Sequence, residues 1–131
     1  MRILLVLISL WFVPVFAVAA NENQGSDAAM EYLEMQPKLT INLAEPKKYL
    51  LINVQLMVEG AEAIELVKKN IPALRNALIM LYSGLSVTEL QTMEQHEALR
   101  IKSKEEIRMT LERFAASEGF KDVFFTEFFV N

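Results

Sequence analysis

From Glu31 to Leu43 the chain has extended character, and Leu39-Thr40-Ile41-Asn42-Leu43 alternates apolar with polar positions. That is the pattern of a half-buried strand, and Pro37 marks its beginning as a sheet edge. Ala44 to Lys48 supplies a turn. Tyr49 to Val58 follows, with Leu50, Ile52, Val54, Leu56 and Val58 on one side, the strongest strand in the sequence. The two strands are predicted to pair as an antiparallel hairpin. The second strand's other face carries Tyr49, Leu51, Asn53, Gln55 and Met57. It is only half polar, which makes Tyr49, Leu51 and Met57 candidates for an interaction surface or for further packing.

After Glu59-Gly60 the period changes. Ile64, Val67, Ile71, Leu74, Leu78 and Leu81 recur at helical spacing and predict a long amphipathic helix. Pro72 lacks the N–H that a helix interior needs, so the helix is expected to kink or restart near Asn70. Leu66, Ala73, Ala77 and Met80 lie away from the main apolar stripe and give this helix a second greasy side, a candidate interface or a wider core contact. Ser83-Gly84 ends it. Ser86-Val87-Thr88-Glu89 has the form of a capping box opening a short turn that contains Leu90, and Thr92-Met93-Glu94-Gln95 repeats the device. From Met93 to about Ser117, Leu99, Ile107, Leu111 and Phe114, with Ala98 and Ala115 beside them, predict a second helix, with Gly119 as its C-terminal cap.

Val123-Phe124-Phe125-Thr126-Glu127-Phe128-Phe129-Val130 closes the chain as a strand expected to lie inside the sheet. The order is β-β-α-α-β. It predicts a single α+β domain with two helices packed on one face of an antiparallel sheet.

The chain has 131 residues, enough for one core and not for two. Residues 3–20 carry no charge; Met1-Arg2 before them and Ala17-Val18-Ala19-Ala20 at their end read as a cleavable signal peptide over 1–20. The rival reading is a short uncleaved membrane anchor through residues 3–20, which Pro14 and the small-residue ending disfavour. Residues 21–30 read as a flexible leader and 31–131 as the domain. The sequence contains no cysteine, which excludes disulfides, thiolate metal sites and thiol nucleophiles. A net charge of −4 with interspersed Lys and Arg argues against nucleic acid as a partner.

Chemistry is sparse. His96, the only histidine, reads as a solvated helix residue. Asp27 and Asp122 are the only aspartates, so paired-carboxylate catalysis has little to draw on. Glu94 with Glu97, and Glu105-Glu106, read as solubilising charge, since adjacent helix positions point apart. Arg100, Lys104 and Arg108 form a basic stripe that Glu97, Glu105 and Glu112 are placed to balance. No catalytic residue, no metal site and no cofactor is predicted; the chain reads as a non-enzyme.

Several of these segments together resemble the periplasmic domain of the flagellar basal-body-associated FliL family. The paired strands are followed by Ile71-Pro72-Ala73-Leu74-Arg75-Asn76-Ala77-Leu78-Ile79, then Leu85-Ser86-Val87-Thr88-Glu89-Leu90 and Glu97-Ala98-Leu99-Arg100. The terminal Phe124-Phe125-Thr126-Glu127-Phe128 is similar to the family's last strand. The likeness covers about Tyr32 to Asn131. It implies a stomatin-like domain in the periplasm, at the outer face of the inner membrane, acting as a homo-oligomeric scaffold with flagellar stator and basal-body proteins as partners. The family's usual cytoplasmic tail, full membrane helix and long linker are not matched. A periplasmic binding module of unknown ligand is the alternative, and it requires a pocket with convergent polar groups.

Overall fold

The computed structural model describes residues 29–131; the predicted signal segment and most of the leader lie outside the described residues. Strands β1 (Met30–Glu34), β2 (Leu39–Asn42) and β3 (Tyr49–Glu59) come first. Helices α1 (Ala61–Lys69), α2 (Ile71–Tyr82) and α3 (Met93–Arg113) follow, with a 3₁₀ turn at Val87–Leu90, and β4 (Phe120–Val130) ends the chain. The α+β class is as expected, with an antiparallel sheet of four strands and the helices on one face.

β3 is the centre of the sheet. Tyr49 and Asn131 exchange both backbone hydrogen bonds, and Glu59 N–H donates to Gly119, so odd-numbered β3 residues turn their peptide groups toward β4. Even-numbered residues turn theirs the other way: Val54 accepts from Met35, Lys48 accepts from Leu43, and Gly60 donates to Ala29. β1 and β2 therefore lie end to end along one edge of β3, opposite Gln55–Glu59 and Tyr49–Ile52, while β4 runs along the other. Two of the sequence expectations are corrected here. The extended region before Leu43 is two short strands separated by a bend at Pro37, and β4 is an edge strand that pairs with β3 alone, not an interior one.

Leu50, Ile52, Val54, Leu56 and Val58 are wholly buried under the helices. At ~1.5–3 kcal/mol per buried aliphatic side chain this one row is a major source of stability. Ile64 and Val67 of α1, Leu74, Leu78 and Tyr82 of α2, and Leu99, Ile107 and Leu111 of α3 pack on this row, and Met35, Leu39, Ile41 and Val123 extend the core at its sides. The expected restart occurs at Asn70, whose side chain donates to Leu66 O at 2.7 Å while Pro72 sits in the first turn of α2, where its missing N–H has no partner to lose. Both capping boxes form, at Ser86/Glu89 and at Thr92/Gln95.

α3 ends differently from expectation. Its cap is Phe114, which is left half exposed, and Ala115 takes the left-handed conformation (φ 53°). Ala115 N–H reaches Glu112 O and Ala116 N–H reaches Leu111 O, the paired bonds of a Schellman motif built on alanine. Gly119 serves the next corner, at φ 93°, where an added Cβ comes within 2.4 Å of Ala63 Cβ and 2.5 Å of Glu59 O.

Two opposite mutational effects follow. Gly119→Ala is expected to lose about 3 kcal/mol or more, because the methyl meets backbone that cannot yield. Ala115→Gly is expected to gain roughly 0.5–1 kcal/mol, since glycine relieves the left-handed strain and gives back only part of that in chain entropy. Urea unfolding of the two variants measures both.

Candidate interaction surfaces

The seven residues singled out in the sequence fall in three places. Ala73, Ala77 and Met80 of α2 face Thr110, Arg113 and Phe114 across a groove of about 420 Å³ between α2 and the end of α3. Met80 is 72% exposed and Ala77 nearly buried, so the groove has a small-residue floor and a greasy rim. Leu66 is not part of it. It is half-buried against the core and lines a separate, acid-rimmed hollow with Glu59, Glu62 and Glu118.

Tyr49, Leu51 and Met57 are half-buried on the face of β3 that points away from the helices. Register places Phe129 beside Leu51 and Phe124 beside Gln55 on that face, and Tyr32 of β1 meets the Phe124 ring at 6.4 Å. In the middle of it Asn53 is buried; its amide donates to Glu34, and this bond holds the Glu34 carboxyl below the ordinary carboxylate range. Asn53 Oδ1 has no partner among the described residues. Lys38, from the bend between β1 and β2, reaches across β3 to Glu127, the residue opposite Asn53 in the register. The outer sheet face is thus an apolar surface divided by a polar strap.

The seam between α3 and β4 carries residues that the sequence reading undervalued. His96 is not a solvated side chain: it is half-buried, its ring stacks on Phe128 with centroids 3.9 Å apart, and its Nε2 lies 2.7 Å from Leu90 O. Only knowledge that β4 lies under the start of α3 could have shown this. Arg100 donates to both oxygens of Glu97 (2.8 and 2.6 Å) and to Asp122 Oδ1 (2.7 Å). The Glu97 hydrogen bonds chiefly, with Asp122, raise the Arg100 pKa above its ordinary value, and Arg100 in turn lowers that of Glu97. Lys104 lies 3.7 Å from Asp122, and Arg108 pairs with Glu105 and Glu112, so the basic stripe is balanced as expected.

Inside, Tyr82 O–H meets Ser103 Oγ at 2.5 Å, and Ser103 in turn donates to Leu99 O at 2.7 Å. Burial pushes the Tyr82 phenol well above its usual range, so it stays a neutral donor joining α2 to α3. Among the described residues no three His, Asp or Glu side chains are grouped as metal ligands, and no helix is long and apolar enough to cross a membrane.

Comparison with known proteins bears on this fold as a whole. The family model described as "Flagellar basal body-associated protein FliL" matches residues 32–130, from β1 to the last residue of β4. The flagellar protein FliL of Aquifex aeolicus (strain VF5) is 29% identical over 100 residues, covering 75% of this chain. The chain spans 60% of that relative's length. With the match running through every strand and helix described above, this chain belongs to the FliL family of flagellar basal body-associated proteins.

Proposed function

We propose that this protein is a non-enzymatic, periplasmic scaffold that supports the flagellar motor beside its stator units, self-associating and touching its partners through the apolar surfaces described above. The observation that carries the reading is the family match across the whole folded domain, 32–130. The unequal distribution of apolar side chains supports it: beyond a complete core, the α2–α3 groove and the outer sheet face keep Met80, Phe114, Tyr32 and Phe129 in solvent. Exposed apolar patches of this kind serve contacts with other macromolecules. In this reading residues 1–20 carry the chain across the inner membrane or hold it there, 21–30 are the leader, and 31–131 are the working domain at the membrane's outer face.

Deletion of the gene tests the proposal directly. Assembled flagella with reduced swimming in soft agar, restored by the chain and accompanied by its fluorescent foci at flagellar bases, are the expected result. Normal swimming with a diffuse periplasmic signal would overturn it and favour a binding module unrelated to the flagellum.

Complementation with variants separates interface from core. Met80→Glu is expected to change stability by less than about 0.5 kcal/mol yet shrink the swimming halo. Leu66→Glu, pressed against the core, is expected to cost roughly 2 kcal/mol and to lower protein abundance. Equal motility of wild type and the Met80 variant removes the α2–α3 groove from the interface.

A further inference from the structure

The outer edge of β4, an eleven-residue strand, pairs with no other strand among the described residues. Asn131 faces β3 through its reciprocal bonds with Tyr49, at 3.0 and 3.3 Å. The register from there runs without a shift back to Glu127, so Val130 and Phe128 turn their N–H and C=O groups outward. Further back along the strand the outward groups of one residue, Val123, are taken. Val123 N–H donates to Asp122 Oδ1 at 2.8 Å, and Val123 C=O accepts from Arg100 Nη1 at 3.2 Å. Arg100 is held there by Glu97 and lies over the Phe124 ring at 5.9 Å. The edge is closed at Val123 and open at Phe128 and Val130, which have no such partners among the described residues.

Beside the open half runs a largely apolar groove of about 390 Å³ between α3 and β4, lined by Met93, His96, Phe124, Phe125 and Phe128, with the paired Glu97 and Arg100 in its wall. An unpaired strand edge flanked by a helix, with an apolar trough between them, is the arrangement that accepts an added strand.

We propose that this edge binds an extended, uncharged peptide segment of a partner protein, which adds as a strand beside Phe128–Val130 and places alternate apolar side chains in the groove. The unpaired N–H and C=O groups select backbone, which neither a lipid nor a nucleic acid supplies. Charge agrees. Arg100 is matched by Glu97 and Asp122, and Lys104 by Asp122, so the rim offers no net attraction to an anionic partner. A second copy pairing through its own β4 fits less well. The helix-side rings of that strand are already engaged, Phe128 by His96 and Phe125 by Tyr82, and leave nothing free to fill the groove. The inference stands on the edge and the trough and does not depend on the motor reading.

The test uses the 15N-labelled full chain and a short acetylated, amidated peptide of alternating threonine and valine. The expected result is a saturable shift of the Phe128 and Val130 amide signals, with slowed hydrogen exchange at both. A peptide N-methylated on the residues that face β4 is expected to lose this binding, because the side chains remain and the ladder donors do not. Met93→Glu, at an 81% exposed position in the first turn of α3 where an acid is tolerated, is expected to weaken binding about tenfold. Lys69→Gln, at an exposed position of α1 outside the surfaces described above, leaves it unchanged. Binding that survives N-methylation overturns strand addition in favour of plain apolar contact. Shifts at Phe128 and Val130 that depend on protein concentration and not on peptide overturn it in favour of a second copy. Unmoved amides at the highest peptide concentration overturn it outright.

Discussion

The fold depends on β3 being paired on both edges and buried on one face. Its even-numbered side chains are all removed from water by α1, α2 and α3, and its peptide groups face β4 on one edge and β1 and β2 on the other. A strand so placed cannot slip by one residue without turning Leu50, Ile52, Val54, Leu56 and Val58 to the solvent face. Everything else is positioned against it. The bend at Pro37 lets one interrupted edge strand follow β3 past Asn53, and the corner at Gly119 brings β4 back alongside within van der Waals reach of Ala63.

Local chemistry was legible wherever it was decided locally. The row of alternating aliphatics announced β3, the helical spacing announced α1 and α2, Pro72 announced the restart at Asn70, and the two capping boxes announced the 3₁₀ turn and α3. The failures have a common cause, which is that pairing partners are distant in sequence. A phenylalanine-rich strand reads as interior by composition, yet β4 pairs with β3 alone and its rings are covered by partners distant in sequence, Phe128 by His96 and Phe125 by Tyr82. Ala115 accepts the left-handed turn because Ala116 must be buried, at 1% exposure, and no propensity scale contains that demand. His96 had a polar neighbourhood in sequence and an aromatic one in space.

The candidate surfaces were legible in part for the same reason. Helical periodicity found Ala73, Ala77 and Met80 off the core stripe, and the structure brings them together in one groove. It also selected Leu66, which lies off the stripe in sequence yet packs partly against the core once α1 lies on β3. Strand alternation found Tyr49, Leu51 and Met57, but not Tyr32, Phe124 and Phe129, which share the face only through pairing. Asn53 shows what that face costs: a buried amide with one acceptor lacking a partner sits between apolar neighbours, held in register by Glu34 and covered by the Lys38–Glu127 pair.

The α3–β4 seam then explains how a chain with so much exposed apolar surface limits unwanted strand pairing. A long, phenylalanine-rich edge strand invites edge-to-edge association, and natural sheets blunt such edges with charge. Here the guard is an arginine fixed by hydrogen bonds to Glu97 and Asp122 at one residue, Val123, where both outward backbone groups are satisfied. A guard at one end does more than protect, because any strand that joins β4 must begin beyond it. Register in antiparallel pairing is set by where pairing starts and by which side chains find a pocket. The Arg100 clamp and the trough at Met93 and Phe128 together restrict an added strand to the end of β4 that the fold leaves open.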